Sequence, residues 1–413
     1  MHKKRPRFVG THHKNSAVWA SYIVKGEAID VTIGFPELAG EIPHWRQGKD
    51  KYWYYHTYYP QELDLNWHNP DVFLEFAKII VFWSSFGFNF RLDALPFVGK
   101  GAYKRTDVDN DFTHRLTAAF RYISEYLNPE WVFIVESFEK IPIISRYLGQ
   151  PHFKLAHLAY NFHMCAYLWV ALAEQDTGFI WQKLNEVRDV PVHADWINFL
   201  RNHDELSLAY VPDPLLSKVK SALMKRGEPF REGFGISGRT HSFLGDDDTR
   251  FINAYLLASS LPGGLLIPYG DEIGKNNVPL DKLQKKLRSD TRNINRGRLT
   301  TKALNSPRAR RISHMLSAII HKRNLLKEYV NVWPQRLAAP TGVFAASYCY
   351  GSSELLVLIN ITDRYQSVKL NVPVRTDYTE ILRFRERELR EDEITLGPYA
   401  GIWLEKSGVR VPA

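Results

Sequence analysis

Two opposite charges stand two positions apart in GFNFRLDALPFVG, residues 87–99: Arg91 and Asp93, at the end of an apolar run. A strand turns alternate side chains to one face, so the guanidinium would lie beside the carboxylate and keep it ionised. A carboxylate held that way can act as a nucleophile or can be half of a structural ion pair, and what separates the two is whether other acids arrive beside it. Glu136 ends the run WVFIVE, and Asp204, preceded by His203, stands near the end of INFLRNHDE. Two carboxylates facing one bond suffice for glycoside hydrolysis, one attacking or activating water while the other protonates the leaving oxygen.

The elements that would carry these residues read as alternating strands and helices. Asn69 is placed as an N-cap with Pro70 at the first helical position, and Val72, Phe73, Phe76, Ile79 and Ile80 follow at helical spacing. A second helix is predicted over 112–127, with Phe112, Leu116, Phe120, Ile123 and Leu127 on one face. Short apolar runs predict strands from residues 88, 131, 153, 197 and 263, and an amphipathic segment lies near 250–260. Strands that are almost continuously apolar, separated by helices, predict a parallel sheet covered by helices. The charges gather at the carboxyl ends of those strands: Arg91 and Asp93, Glu136, then Asn202, His203 and Asp204, then Asp271 and Glu272. In a (β/α) barrel that rim is the active-site face, where side chains from different strands converge. Beyond residue 335 the runs GVFAASYCY, ELLVLINI, SVKLNV, YTEILRF and YAGIWLE predict an antiparallel sandwich. The expected organisation is therefore an irregular segment over 1–60, a barrel-type catalytic domain over 61–335 and a β-sandwich domain over 336–413.

The 413 residues carry a formal charge of +9, but Lys and Arg are spread along the chain with acids between them, so a nucleic-acid partner is not expected. The two cysteines, Cys165 and Cys349, lie far apart without metal-ligand spacing, which indicates neither a disulfide framework nor a zinc site and fits a reducing compartment. The basic N-terminus lacks an apolar signal core, and no stretch approaches about eighteen uninterrupted apolar residues. A cytoplasmic protein without a membrane partner is the expectation. TDVDND, residues 106–111, has the acid alternation of a calcium loop but neither its glycine nor its distal glutamate, and reads as a solvated turn. No metal or cofactor is expected, and the 13% of aromatic residues suits the flat apolar faces of sugars.

FRLDA, FIVESF and FLRNHDE resemble the second, third and fourth sequence signatures of glycoside hydrolase family 13, the α-amylase superfamily, in the family's order. LDLNWHNP is similar to the motif the family carries before its fourth barrel strand, SLPGGLLIPYGDEIG to its eighth strand, and LGPYAGIWLE to the last strand of its C-terminal sandwich, so that about residues 50–405 are covered. Within the superfamily, LDALPFV and LRNHDELSL look closest to trehalose synthases and related α-glucosidases. The resemblance implies a retaining hydrolase or transglucosylase acting on small α-glucosides, with Asp93 as nucleophile, Glu136 as general acid and base, and Asp204 as the third catalytic acid. Arg91 and His203 are then expected at the substrate.

The family's first signature, an aspartate and an Asn-His pair on the third strand, is not found in the sequence. The resemblance therefore implies a (β/α)8-type barrel incomplete at its N-terminus, with strands 4 to 8 present, followed by the sandwich. Open sheet edges are expected to favour self-association. The alternative this leaves is a catalytically degraded, sugar-binding relic or gene fragment without turnover.

Overall fold

The computed structural model describes residues 23–24, 45–49, 52–59, 62–99, 109–231, 235–370 and 372–406. The chain divides into two compact units, Met1–Tyr160 with Pro191–Ala194, and Asn161–Val190 with Asp195–Ala413.

In the first unit, the segment expected to be irregular contains three short antiparallel strands, β1 (Ile23–Val24), β2 (Trp45–Gln47) and β3 (Trp53–Tyr55), in the order β1-β3-β2. Strands of two or three residues are too short to display alternation, which is why the sequence pattern does not reveal them. Helix α1 (Pro70–Ser84) starts where predicted: Asn69 is extended and its side chain accepts from the Asp71 N–H at 3.1 Å. The parallel strands β4 (Phe90–Leu92) and β5 (Phe133–Val135) flank α2 (Asp111–Leu127), which Asn110 caps by accepting from the Thr113 N–H at 2.9 Å. After α3 (Ile141–Leu148) the strand expected from residue 153 begins later. Gly149, in the left-handed region at φ 81°, turns the chain into a hairpin of β6 (Gly149–Gln150) and β7 (Phe153–Lys154), and the parallel strand is β8 (Leu158–Tyr160). Strand β5 pairs in parallel with β4 on one side and β8 on the other.

The core of this unit explains both helices. Ile80, Leu116, Phe120, Trp131 and Phe133 are buried, with Phe73 and Phe76 packed against them. Ile79, expected on that face, is instead exposed, as are Leu74, Phe82 and Trp83, because α1 is apolar on more than the one face that the core covers; Phe86 and Phe88, in the segment after α1, are exposed as well.

The second unit holds α4 (Phe162–Glu174), α5 (Gly178–Glu186), β9 (Asp195–Asn198), α6 (Leu215–Met224), the hairpin β10 (Glu228–Phe230) and β11 (Gly235–Ser237), α7 (Thr240–Phe243), α8 (Asp248–Ser259), β12 (Gly264–Leu265), α9 (Thr301–Leu304) and α10 (Pro307–Leu325). Strands β9 and β12 are parallel, Ile197 opposite Gly264. The C-terminal part is antiparallel, as the sequence indicates. One sheet comprises β13 (Gln335–Arg336), β14 (Val343–Tyr350), β15 (Ser353–Asn360), β17 (Thr379–Phe384) and β20 (Gly401–Lys406), in the order β13-β14-β15-β20-β17. The other is β16 (Gln366–Lys369), β19 (Glu393–Leu396) and β18 (Arg387–Leu389), with the short helix α11 (Val374–Asp377) between the two sets. Val343, Leu356, Leu358 and Ile402 from the first sheet meet Val368, Ile394 and Leu396 from the second in one buried core.

Candidate active site

The register of the first unit places three strand ends in a row. Leu92 pairs with Val135 and Val135 with Ala159, and the ladder continues one step further through Glu136 N–H to Leu92 C=O at 3.0 Å. The next residue on each strand is Asp93, Glu136 and Tyr160, so equal register on neighbouring strands makes them neighbours. Asp93 leaves its strand at once, because Ala94 takes a left-handed φ of 45° and starts a 3-10 turn over Leu95–Phe97. A left-handed alanine is a conformational cost that the structure bears at this point of the chain.

Arg91 stands between the two carboxylates. One terminal nitrogen, Nη2, donates to Glu136 Oε2 in a short contact and lies 3.3 Å from Asp93 Oδ1. The pairing predicted for Arg91 and Asp93 is therefore present, with the closer partner being Glu136, 45 residues further along the chain. Lys140, four residues beyond Glu136, occupies the N-cap of α3. Exposure separates the two acids: the Asp93 side chain is 73% accessible and that of Glu136 only 14%. Burial pushes the Glu136 carboxyl up to about 8, Asp93 adds to this through a hydrogen bond and its charge, and the Arg91 guanidinium opposes both. An acid that keeps its proton to that point, next to an accessible carboxylate, can pair a proton donor with a nucleophile.

Two tyrosines complete this cluster and were not singled out from the sequence. Tyr160 has its ring centroid 5.8 Å from the Arg91 guanidinium. Burial raises its hydroxyl's proton affinity, Arg91 lowers it, and Glu136 and Asp93 raise it again. Tyr58 is half-buried, its hydroxyl held neutral by burial and then by the charges of Asp93 and Glu136. Asp64 fixes that turn by accepting from the Thr57 N–H at 2.8 Å and from the Thr57 hydroxyl. The aromatic run YWYYHTYYP was visible in the sequence, but no local pattern says which of its rings faces the acids.

Asp204 and His203 lie in the second unit, in the loop after β9. Asp204 Oδ1 accepts from Arg296 at 2.6 Å and from Arg292 at 3.2 Å, and Oδ2 is 3.2 Å from His203 Nε2. The Asn202 side chain accepts from the Asp204 N–H at 3.0 Å and closes the turn. The two arginines are 88 and 92 residues away in sequence and carry no motif of their own. Asp271 and Glu272 follow β12: Asp271 is fully buried, accepting from the Tyr255 hydroxyl at 2.5 Å, and Glu272 accepts from the Gly270 N–H at 2.5 Å, so both are tied into the strand-end turn. In the run 106–111, residues 106–108 fall outside the described ones. Asp109 is buried against His114 and Arg146 rather than solvated, because α2 and α3 both supply it with cations. No cluster of three or more metal-ligating side chains occurs among the described residues. No described helix is long and apolar enough to cross a membrane.

Residues 36–211 match the family model described as Alpha amylase, catalytic domain. The chain is 32% identical over 254 residues to a trehalose synthase of Thermus thermophilus, covering 55% of this chain and 24% of that protein. It is also 22% identical over 384 residues to a glucosylglycerate phosphorylase of Escherichia coli, covering 84% of this chain and 66% of the relative. The chain spans from 24% to 41% of the trehalose synthases it matches. An α-amylase structure from H. orenii superposes with a TM-score of 0.69 at 18% identity, over 96% of this chain and 76% of that one, and shows the common fold.

Proposed function

We propose that this chain processes small α-glucosides with net retention, as a hydrolase or transglucosylase working through a covalent glucosyl-enzyme. The observation that carries the reading is the Arg91 guanidinium set between an accessible Asp93 and a buried Glu136 whose carboxyl is raised to about 8. Asp93 attacks the anomeric carbon while Glu136 gives its proton to the leaving oxygen; Glu136 then takes a proton from the incoming acceptor as the glucosyl ester breaks. Two inversions give retention. Tyr58 and Tyr160 offer the sugar ring an aromatic edge at the two acids. In the second unit, Asp204, held by Arg292 and Arg296 beside His203, is a separate acceptor for sugar hydroxyls.

Relatives named as trehalose synthases and as a glucosylglycerate phosphorylase support a donor of this size. Water, a sugar hydroxyl or a phosphate oxygen each completes the second half-reaction. Residues 61–335 are taken as the catalytic region and 336–413 as an accessory sandwich. Cys165 is buried, Cys349 is exposed and both thiols are free, which favours the cytoplasm.

The test is to supply the purified chain with trehalose, maltose and glucosylglycerate, each with and without phosphate, and to read the first-formed glucosyl product by proton NMR. An α-configured product that disappears in Asp93→Asn supports the proposal. A β-configured first product, or no product from any donor, contradicts it.

A further inference from the structure

We propose that the cavity after β9 and β12 in the second unit is a subsite for a small oxyanion, a phosphate or a carboxylate. The cavity measures about 280 Å³, and its wall includes Arg201, His203, Arg239, Tyr269, Asp271 and Arg296. That volume suits a group of a few heavy atoms, since whole-ligand pockets run from roughly 300 to 1,000 Å³.

The cavity wall carries buried positive charge, that of Arg201 and Arg239. Arg201 is 2% exposed, and its donors go to backbone carbonyls, Nη1 to Ile236 at 3.3 Å and Nη2 to Asp204. It forms no ion pair among the described residues. Burying an arginine is costly: burial draws its proton affinity down to about 10, Cys165, Asp271 and Glu205 oppose this, and the Arg239 charge acts with burial. Arg239 is 4% exposed; one terminal nitrogen reaches the Tyr269 carbonyl and lies 3.4 Å from Asp271, while its Nε–H has no partner among the described residues. Lys275 responds to the same field, pushed down to about 8 by burial and then by Arg239.

Most acids nearby are already engaged, and Glu205, whose charge acts on Arg201, lies 3.6 Å from Arg292 with its Oε2 free of hydrogen bonds among the described residues. Asp271 accepts from Tyr255 and Arg239, Asp204 from Arg292 and Arg296, and Asp290 from Arg292 at 2.8 Å. An oxyanion entering the cavity meets two buried guanidiniums, of which Arg239 has an Nε–H without a partner among the described residues, and planar forks of this kind match phosphate and carboxylate geometry.

Isothermal titration of the full chain with inorganic phosphate, with glycerate and with chloride, all at one ionic strength and without a glucosyl donor, tests the inference. The expected result is saturable binding, one equivalent per chain, of phosphate or glycerate well ahead of chloride. It should weaken at least tenfold in Arg201→Gln and measurably in Arg296→Gln, whose side chain is partly exposed and whose loss the fold tolerates better. Phosphate alone identifies a free-phosphate subsite, and glycerate alone a carboxylate subsite. No saturable binding by the parent chain, or binding unchanged in Arg296→Gln, overturns the inference whether or not Arg201→Gln folds. Because no donor is present, failure here with retaining turnover intact removes the subsite only, and binding without turnover removes the proposed reaction only.

Discussion

Replacing Glu136 by glutamine removes one ionisation and keeps the shape, so the pH dependence of stability reports directly on how tightly that proton is held. In the folded chain the carboxyl keeps its proton up to about 8, whereas an unconstrained glutamate releases it near 4.5. Between those values the folded state binds more protons than the unfolded one, so the contribution is fully present below about 4.5, declines as pH rises, and is lost above about 8. Each pH unit of that window corresponds to about 1.4 kcal/mol, which gives a ceiling of about 5 kcal/mol for the whole decline. The Arg91 contact favours the ionised form and is already contained in that figure. The amide cannot titrate. The stability of Glu136→Gln minus that of the parent should thus climb between about pH 5 and about pH 9, by no more than that ceiling. Urea midpoints of the two proteins measured across that range provide the difference, in which titrating groups that do not touch Glu136 cancel. Parallel curves for parent and variant would refute the raised carboxyl and the acid role derived from it.

Four further outcomes are expected. Asp93→Asn should abolish turnover without changing the melting temperature by more than a degree or two, since its side chain is largely exposed; turnover within tenfold of the parent excludes it as nucleophile. Arg91→Met leaves Glu136 beside Asp93 without the intervening cation, so carbon-13 NMR of the Glu136 carboxyl should show it titrating about one unit or more above the parent. Asn69→Ala removes the cap on α1 and should cost about 1 kcal/mol in urea unfolding, and an unchanged midpoint would dismiss the cap. Phe82, Trp83, Phe86 and Phe88 are exposed together at the end of α1, and β4 pairs on one side only among the described residues, so the chain should self-associate; light scattering should show a smaller species for Phe82→Ser with Trp83→Ser.

What could be read in the sequence was local. The Asn69-Pro70 start of α1 and the Arg91, Asp93 spacing are written in adjacent residues, and each has its expected neighbour in the structure. The strand-and-helix alternation was legible because buried parallel strands are almost wholly apolar, and the sandwich because its strands are up to eight residues long. Long-range choices were not legible. Arg91 leans towards Glu136 because Leu92 pairs with Val135, a register no spacing reveals. Arg292 and Arg296 reach Asp204 across a stretch with little regular structure. The turn at Gly149 displaced one strand, since an apolar run alone does not say where a hairpin ends and the parallel strand begins. Tyr58 was hidden for the opposite reason, in a run so rich in aromatics that composition could not single out one ring.

The central claim is that Asp93 forms a bond to the sugar, and trapping that bond tests it most directly. α-Glucosyl fluoride needs no acid to leave, so Glu136→Gln should accept it, form the ester and then stall for want of a base. Intact mass spectrometry of the quenched variant should show a gain of one anhydroglucose unit, and peptide mapping should place it on Asp93. No adduct, or an adduct on a different carboxylate, would contradict the account.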